Sequence, residues 1–470
     1  MGYGANTTSS ISSILQRSET IFGQTMNDTH LSPEPGEVTR NKNLIFAHAV
    51  KLFDLLASKT DRSKVKPILV LNGDILEFLN TKIWHEHGIK PFDASLDQLK
   101  LIATEILQSI ALQNREAFQA LKSLSRRCLI IFIEGNHDHL LFQAPGLKEL
   151  LAKMLDRTIN RSIFFLPELR SGKAVFIQHG YQGDPFHTLD SEEMAQAFTV
   201  ILYGSFPARL KEEFQARSIP PDLQANILTA LDQVERVYPR YLIVNWLQRE
   251  VDRLIATISS AKLRDDCKKA IYNAWNRGWD ELSEEKQVKQ YFDAHPWKKF
   301  LTFQLGYNHL GGWISRFFRK IGELASRLTP METAQGIFDE HLKKMAKESK
   351  AALIEVGHFH GGEEIIQSIS ANGIQILAKA TFVPTPIAPI ETKNNPHLKS
   401  YLSHFAPFSV LQFLIRQNAS FNQAKVRVVH ILERLSPQSP LIGLTGALAS
   451  NPTVSPTIDR SDENWLAEKT

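Results

Sequence analysis

Short apolar runs recur along the chain, and each stops abruptly at a tight group of polar residues. "IFGQTM" runs into Asn27-Asp28-Thr29-His30, "PILVL" into Asn72-Gly73-Asp74, and "CLIIFI" into Glu134-Gly135-Asn136-His137-Asp138. "AVFIQ" ends at His179-Gly180 and "ALIEV" at Gly357-His358-Phe359-His360. Continuous apolar runs of this length predict strands buried on both faces, with the polar groups at their carboxyl ends, where open α/β sheets bind ligands. Helical periodicity lies between them. From Asn43 to Ala57, the residues Ile45, Phe46, Val50, Leu52, Phe53 and Leu56 form a wide apolar face, and one long helix is predicted from about Leu96 to Ser123. "NTKIWHEHGIKPFD" reads as loop or a short extra helix. Alternating strands and helices predict an α/β layered domain.

The pattern changes after His179. Residues 190–330 show helical periodicity without a convincing strand, and Trp246, Trp275 and Trp279 lie in their middle, so an inserted helical module is expected. A helix over Met331 to Ser349 leads back into "ALIEV". "EEIIQSISANGIQILAKATF" predicts a hairpin turning at Ala371-Asn372-Gly373, and "SVLQFLIRQ" and "KVRVVHIL" predict further strands. The expected organisation is a flexible N-terminus at 1–19, a first α/β part at 20–189, a helical insertion capping the cleft at 190–330, a second α/β part at 331–435, and a mobile Ser-, Pro- and Thr-rich tail at 436–470.

At 470 residues the chain is long enough for more than one compact unit, because single cores stop growing at about 250 to 300 residues. A net charge of +4 without a concentrated basic patch gives no reason to expect a nucleic-acid partner. Only two cysteines, Cys128 and Cys267, occur, which excludes a disulfide framework and makes a reducing, cytoplasmic setting the expectation. No secretory signal and no uninterrupted apolar span of about 18 residues is present in the sequence. Residues 309–328, "HLGGWISRFFRKIGELASRL", place Trp313, Phe317, Ile321, Leu324 and Leu328 on one face and Arg316, Arg319, Lys320 and Arg327 elsewhere. Such a basic amphipathic helix can lie on an anionic membrane, although a helix packed within the insertion needs an apolar face too.

Together the strand ends supply Asp28, His30, Asp74, Asn136, His137, His179, His358 and His360. Oxygen and nitrogen donors without a thiolate suit manganese, iron or zinc and differ from a closed structural zinc site. The set is too large for one ion, whereas two ions sharing a carboxylate would use nearly all of it. Taken singly the breaks say little, since "DTH" could be a helix cap and "GD" is common. Glu77 follows Asp74 closely enough to support it, and His139 and His187 lie near the motifs. His85 and His87 have metal-like spacing but read best as solvated.

The ordered series "DTH", "GD", "GNHD", "HG" and "GHFH" resembles the calcineurin-like metallophosphoesterase superfamily, whose pattern is D-x-H, G-D, G-N-H-[DE], H and G-H-x-H. It spans residues 28 to 360 and is silent on the insertion and the tail. The resemblance implies a two-sheet α/β sandwich flanked by helices. It implies two divalent ions, with manganese the first expectation and iron, zinc or nickel the alternatives. Asp28, His30 and His360 would hold one ion, Asn136, His179 and His358 the other, and Asp74 would bridge them. His137 would contact the phosphate or leaving group, with Asp138 orienting its imidazole. The implied activity is hydrolysis of a phosphate ester or pyrophosphate by a hydroxide between the ions. Locally, "DTHL", "GDILEFL" and "GNHDHLL" are similar to the UDP-diacylglucosamine pyrophosphatases of lipid A synthesis, which implies a lipid-linked substrate as the alternative. A further alternative is a non-catalytic scaffold of the same fold that binds a partner through the insertion.

Overall fold

The apolar runs become strands in the computed structural model, which describes residues 11, 13–15, 17–61, 64–171, 174–181, 192–231, 251–294, 343–345, 347–349, 351–358, 364–370, 373–379, 408–417 and 422–431. In chain order the strands are β1 (Thr20–Met26), β2 (Val65–Asn72), β3 (Leu129–Ile133), β4 (Ile163–Leu166), β5 (Leu169–Ser171), β6 (Val175–Gln178), β7 (Leu353–Val356), β8 (Glu364–Ser370), β9 (Gly373–Lys379), β10 (Phe408–Gln417) and β11 (Asn422–Ile431). They build two mixed sheets, ordered β11-β10-β1-β2-β3-β4 and β5-β6-β7-β9-β8. The protein is therefore α/β. β1 to β4 run parallel, and so do β6, β7 and β9. β10 and β11 extend the first sheet antiparallel, while β8 and β9 form the expected hairpin with Ser370 opposite Gly373. β4 and β5 add to the strands expected from the sequence.

Alternation along the buried strands separates two cores. Phe22, Leu69, Leu71, Ile130 and Phe132 face helices, joining Phe46, Val50 and Phe53 of the helix Glu37–Ser58 and Ile102 and Ile106 of the helix Leu96–Gln113. Ile21, Ile68, Val70 and Ile131 point the other way and share a core with Val175, Ile177 and Leu353 of the second sheet. The two sheets are thus layered face to face. Ile11 and Leu15, inside the stretch expected to be a flexible N-terminus, are buried in that inter-sheet core.

The single long helix expected from Leu96 is broken. Helices Leu96–Gln113 and Arg115–Leu124 meet at Asn114, whose side-chain amide donates to the carbonyls of Ser32 and Ile110, each at 2.9 Å. An amide that bonds the preceding turn competes with the helical ladder, and periodicity alone does not register that. "NTKIWHEHGIKPFD" contains the short helix Ile83–His87.

Of residues 190–330, the described parts are helical and contain no strand. A π-helix at Phe198–Gly204 is followed by helices Phe206–Ala216, Pro221–Leu231, Ala261–Glu284 and Lys286–Ala294. They enclose a separate core in which Trp275 meets Phe206 edge-on at 5.7 Å and Trp279 meets Phe198 at 5.9 Å. The module rests on the segment that follows β2: Lys90 pairs with Glu281 at 3.1 Å and with Glu285, and His85 pairs with Glu212 at 3.0 Å. His85 and His87 serve surface pairing, the latter with Glu105 at 2.8 Å. Cys128 and Cys267 are both free and buried. Among the described residues no helix is long and apolar enough to cross a membrane. Trp246, His187, the amphipathic segment 309–328 and the tail 436–470 lie outside the described residues, as does most of the helix expected at 331–349.

Glu355 of β7 is fully buried, in strand alternation with the inter-sheet residue Leu353. Burial pushes its carboxyl up to about 8, and the nearby Thr25 hydroxyl only partly opposes this. The folded state therefore holds a proton that the unfolded chain releases above about pH 4.3, so this group makes stability fall as pH rises from there to about 8, after which its contribution levels off. Glu355→Gln is expected to remove that slope, measured as denaturant midpoints from pH 5 to 8.5; a slope unchanged from wild type would rule the effect out.

Candidate metal site

The carboxyl ends of β1, β2 and β3 lie on one sheet and those of β6 and β7 on the other, so the candidate ligands arrive from two layers. Two hydrogen bonds tie the layers at that level. Asn72 donates from Nδ2 to the Gln178 carbonyl at 3.2 Å, and His179 donates from Nδ1 to the Asn72 carbonyl at 2.9 Å. Past the sheet the loops after β1 and β2 keep running side by side, with the Asp28 amide on Gly73 O at 3.1 Å and the His30 amide on Asp74 O at 2.8 Å. Strain concentrates here. Asp28, His30, Asp74 and His358 are four of the seven non-glycine residues with positive φ among the described residues. Each costs on the order of 1–3 kcal/mol, which the surrounding hydrogen bonds must offset.

Glycine is required at two points. Gly73 has φ +77°, and a Cβ there would lie 2.3 Å from the His179 ring. At Gly135 a Cβ would lie 2.3 Å from both the backbone nitrogen and Oδ1 of Asp74.

Asp74 sits at the centre. Its Oδ1 accepts from the His137 amide at 2.8 Å, while its Oδ2 lies 3.2 Å from His179 Nε2 and 3.8 Å from His30 Nε2. Asp28 Oδ2 accepts from the His358 amide at 3.2 Å, and its Oδ1 lies 4.0 Å from His179 Nε2. His179 and His358 meet edge-on with ring centres 5.3 Å apart. Three groups have candidate ligand atoms within 4.8 Å of one another: Asp28 with His30 and Asp74, Asp74 with His179 and His358, and His30 with Glu77 and His137; the first two share Asp74. These buried groups are compatible with metal binding. The structure therefore brings Asp28, His30, Asp74, Asn136, His137, His179 and His358 together, and His360 lies outside the described residues.

Tautomers follow from the partners. Glu77 is buried, and its carboxylate accepts from Nδ1 of His30 at 2.9 Å and from Nδ1 of His137 at 2.9 Å. Burial alone would raise Glu77, but the two imidazoles outweigh it and hold the carboxyl well below its usual range. An ionised carboxylate only accepts, so both Nδ1 atoms carry hydrogen and both Nε2 atoms are directed elsewhere. Likewise His179 uses Nδ1 for Asn72 and turns Nε2 toward Asp74. That Nε2 is near Asp74 Oδ2 but out of line for a hydrogen bond. Burial would lower His179, yet the charge of Asp74 raises it to about 9, and the same histidine, with His137 and His30, holds Asp74 well below its usual range against its own burial. Carboxylates and imidazoles here stabilise one another's charged forms.

The orienting role expected of Asp138 belongs to Glu77. Asp138 directs Oδ1 to the Gly135 amide at 2.7 Å and Oδ2 to the Ile75 amide at 2.9 Å, pinning the loops after β3 and β2 together. Burial first and the charge of Asp74 second raise it to about 7. The signal for Glu77 was its place in "ILEFL", an acidic residue in an otherwise apolar stretch that is buried throughout. His139 packs with Glu134 and Gln143.

Comparison of the chain with protein-family models, curated proteins and solved structures finds no match. Gly135→Ala is expected to displace Asp74 and to weaken any divalent-metal binding by about tenfold or more in calorimetric titration; wild-type affinity would show that the loop yields without moving the carboxylate.

Proposed function

We propose that the chain is a metal-dependent phosphoesterase of the calcineurin-like metallophosphoesterase type, and that its two layered sheets are the sandwich of that superfamily. The observation that carries the reading is one carboxylate, Asp74, shared by two groups of buried donors, beside an imidazole, His137, fixed from behind by an ionised carboxylate. The ordered motifs support the same reading.

The donors fit a pair of divalent ions. Asn136 is buried, and its Oδ1 has no hydrogen-bond partner, a state that costs about 1–3 kcal/mol unless a cation takes the oxygen. Asp28, His30 and Asp74 would hold one ion, joined by His360 on the motif. Asp74, Asn136, His179 and His358 would hold the other. Two divalent ions held there would supply Lewis-acid charge for the phosphate oxygens and would make a water nucleophilic near neutral pH. With only two carboxylates among the ligands and Asn136 neutral, the centre keeps net positive charge and attracts an anionic ester. His137 presents Nε2 away from Glu77 and donates its proton to the departing oxygen, while Glu77 stabilises the imidazolium and holds the ring at a fixed angle. Gly135, Asn136 and His137 are consecutive, so one turn places an ion ligand and a proton donor side by side.

The test is hydrolysis of para-nitrophenyl phosphate and bis-para-nitrophenyl phosphate by metal-stripped protein with manganese restored. Turnover is expected to return with the metal and to be lost in Asp74→Asn. In His137→Ala and Glu77→Gln it should fall by about 10²–10⁴-fold with circular dichroism unchanged. Full activity in Asp74→Asn would overturn the reading. No turnover on either ester by the wild type would favour the scaffold alternative.

A further inference from the structure

Glu77 is held by the turn that follows it, and that turn is gripped from two sides. Glu77 Oε1 accepts from the amides of Leu79 at 3.0 Å and Asn80 at 2.8 Å. On one side, Glu34 accepts from Thr81 Oγ1 at 2.8 Å and from the Lys82 amide at 3.1 Å. Trp84 donates from its indole to the Phe78 carbonyl at 2.7 Å, closing the turn over itself. On the other side stands Gly204, the last residue of the π-helix in the insertion. A Cβ at Gly204 would lie 2.8 Å from Thr81 N, 2.9 Å from Thr81 O and 3.0 Å from Leu79 O. All three are backbone atoms, and Thr81 N and Leu79 O are bonded to each other at 3.0 Å, so no flexible side chain can move aside. Helical widening of this kind is frequent at functional sites.

We infer that the insertion is a positioning element for the site, Gly204 seating the turn Leu79–Thr81 so that Glu77 meets His30 and His137. The inference rests on the phosphoesterase reading for its consequence in turnover, but its geometric part stands without it. Contact passes from Gly204 to Leu79 and Thr81, from Leu79 and Asn80 to Glu77, and from Glu77 to both imidazoles, each step through a close contact or hydrogen bond given above. Pushing the turn outward would swing the carboxylate that sets the two rings, and a misplacement of about 1 Å at such a group can cost 10²-fold in rate.

The test uses the full chain and the variants Gly204→Ala, Glu34→Ala, Glu77→Gln and Gly204→Ala with Glu77→Gln. In metal-stripped protein, proton NMR should show downfield Nδ1–H resonances that vanish in Glu77→Gln. Gly204→Ala should shift or broaden those same resonances. With manganese bound, kcat should fall about tenfold or more while KM stays within about twofold, and the Gly204→Ala effect should disappear in the Glu77→Gln background. A merely structural glycine would give resonances unchanged and an additive cycle, and either result overturns the inference. If Gly204→Ala does not fold, Glu34→Ala, which removes the acceptor of the Thr81 hydroxyl and the Lys82 amide, loosens the same turn and is judged by the same two measurements. If the wild type shows no turnover, the phosphoesterase reading fails, and the resonances alone decide this one.

Discussion

The site depends on two hydrogen bonds that cross between the sheets, from His179 to the Asn72 carbonyl and from Asn72 to the Gln178 carbonyl. Three of the strands that end in candidate ligands belong to one sheet and two to the other, and hydrophobic contact between layers sets their separation without setting their offset along the strands. Polar bonds are directional and do set it. With that offset fixed, His179 falls beside Asp74 and His358 beside Asp28, so ligands from different layers share one level. His179 serves both purposes, one ring nitrogen anchoring the sheets and the other facing the carboxylates.

Charge is arranged in depth. Asp28 and Asp74 are buried acids surrounded by imidazoles, a pairing that burial would punish unless cations stand close by. Directly behind them Asp138 and Glu77 divide the labour, the first bonding backbone amides and the second bonding rings. Deeper in the sandwich, Glu355 meets no such cations and is pushed toward its neutral acid. Three acid environments therefore occur among these buried carboxyls: paired with imidazoles, bonded to backbone amides, and without a cation.

Much of this was readable in the sequence because the strand ends break so sharply. A buried parallel strand is an apolar run, so the polar residues that stop it must lie at the sheet edge, and the five breaks that were read are the five that the fold gathers. The division of labour behind them was not readable. Whether Asp138 or Glu77 reaches His137 depends on the direction of a side chain after a left-handed turn at Asp74, and adjacency in sequence favoured the wrong one. Asn114 was hidden for a related reason: its amide bonds Ser32, a partner far away in sequence, and helical periodicity carries no information about that. β5 has three residues, too few to establish an alternation.

The place of β1 in its sheet has a consequence for the order in which the molecule can be completed. β1 lies between β2, which follows it closely, and β10, which comes from near the far end of the described chain, and Gln24 is bonded to Gln412 across that second seam. As the chain emerges from the ribosome, the strand that leads to Asp28 and His30 keeps one open edge through the synthesis of the whole helical insertion. Such an edge offers unpaired backbone groups to any passing strand. The insertion, with a core and short-range helical contacts of its own, can fold during that wait. The end of β1 that carries the candidate ligands is then sealed last, by residues more than three hundred positions downstream.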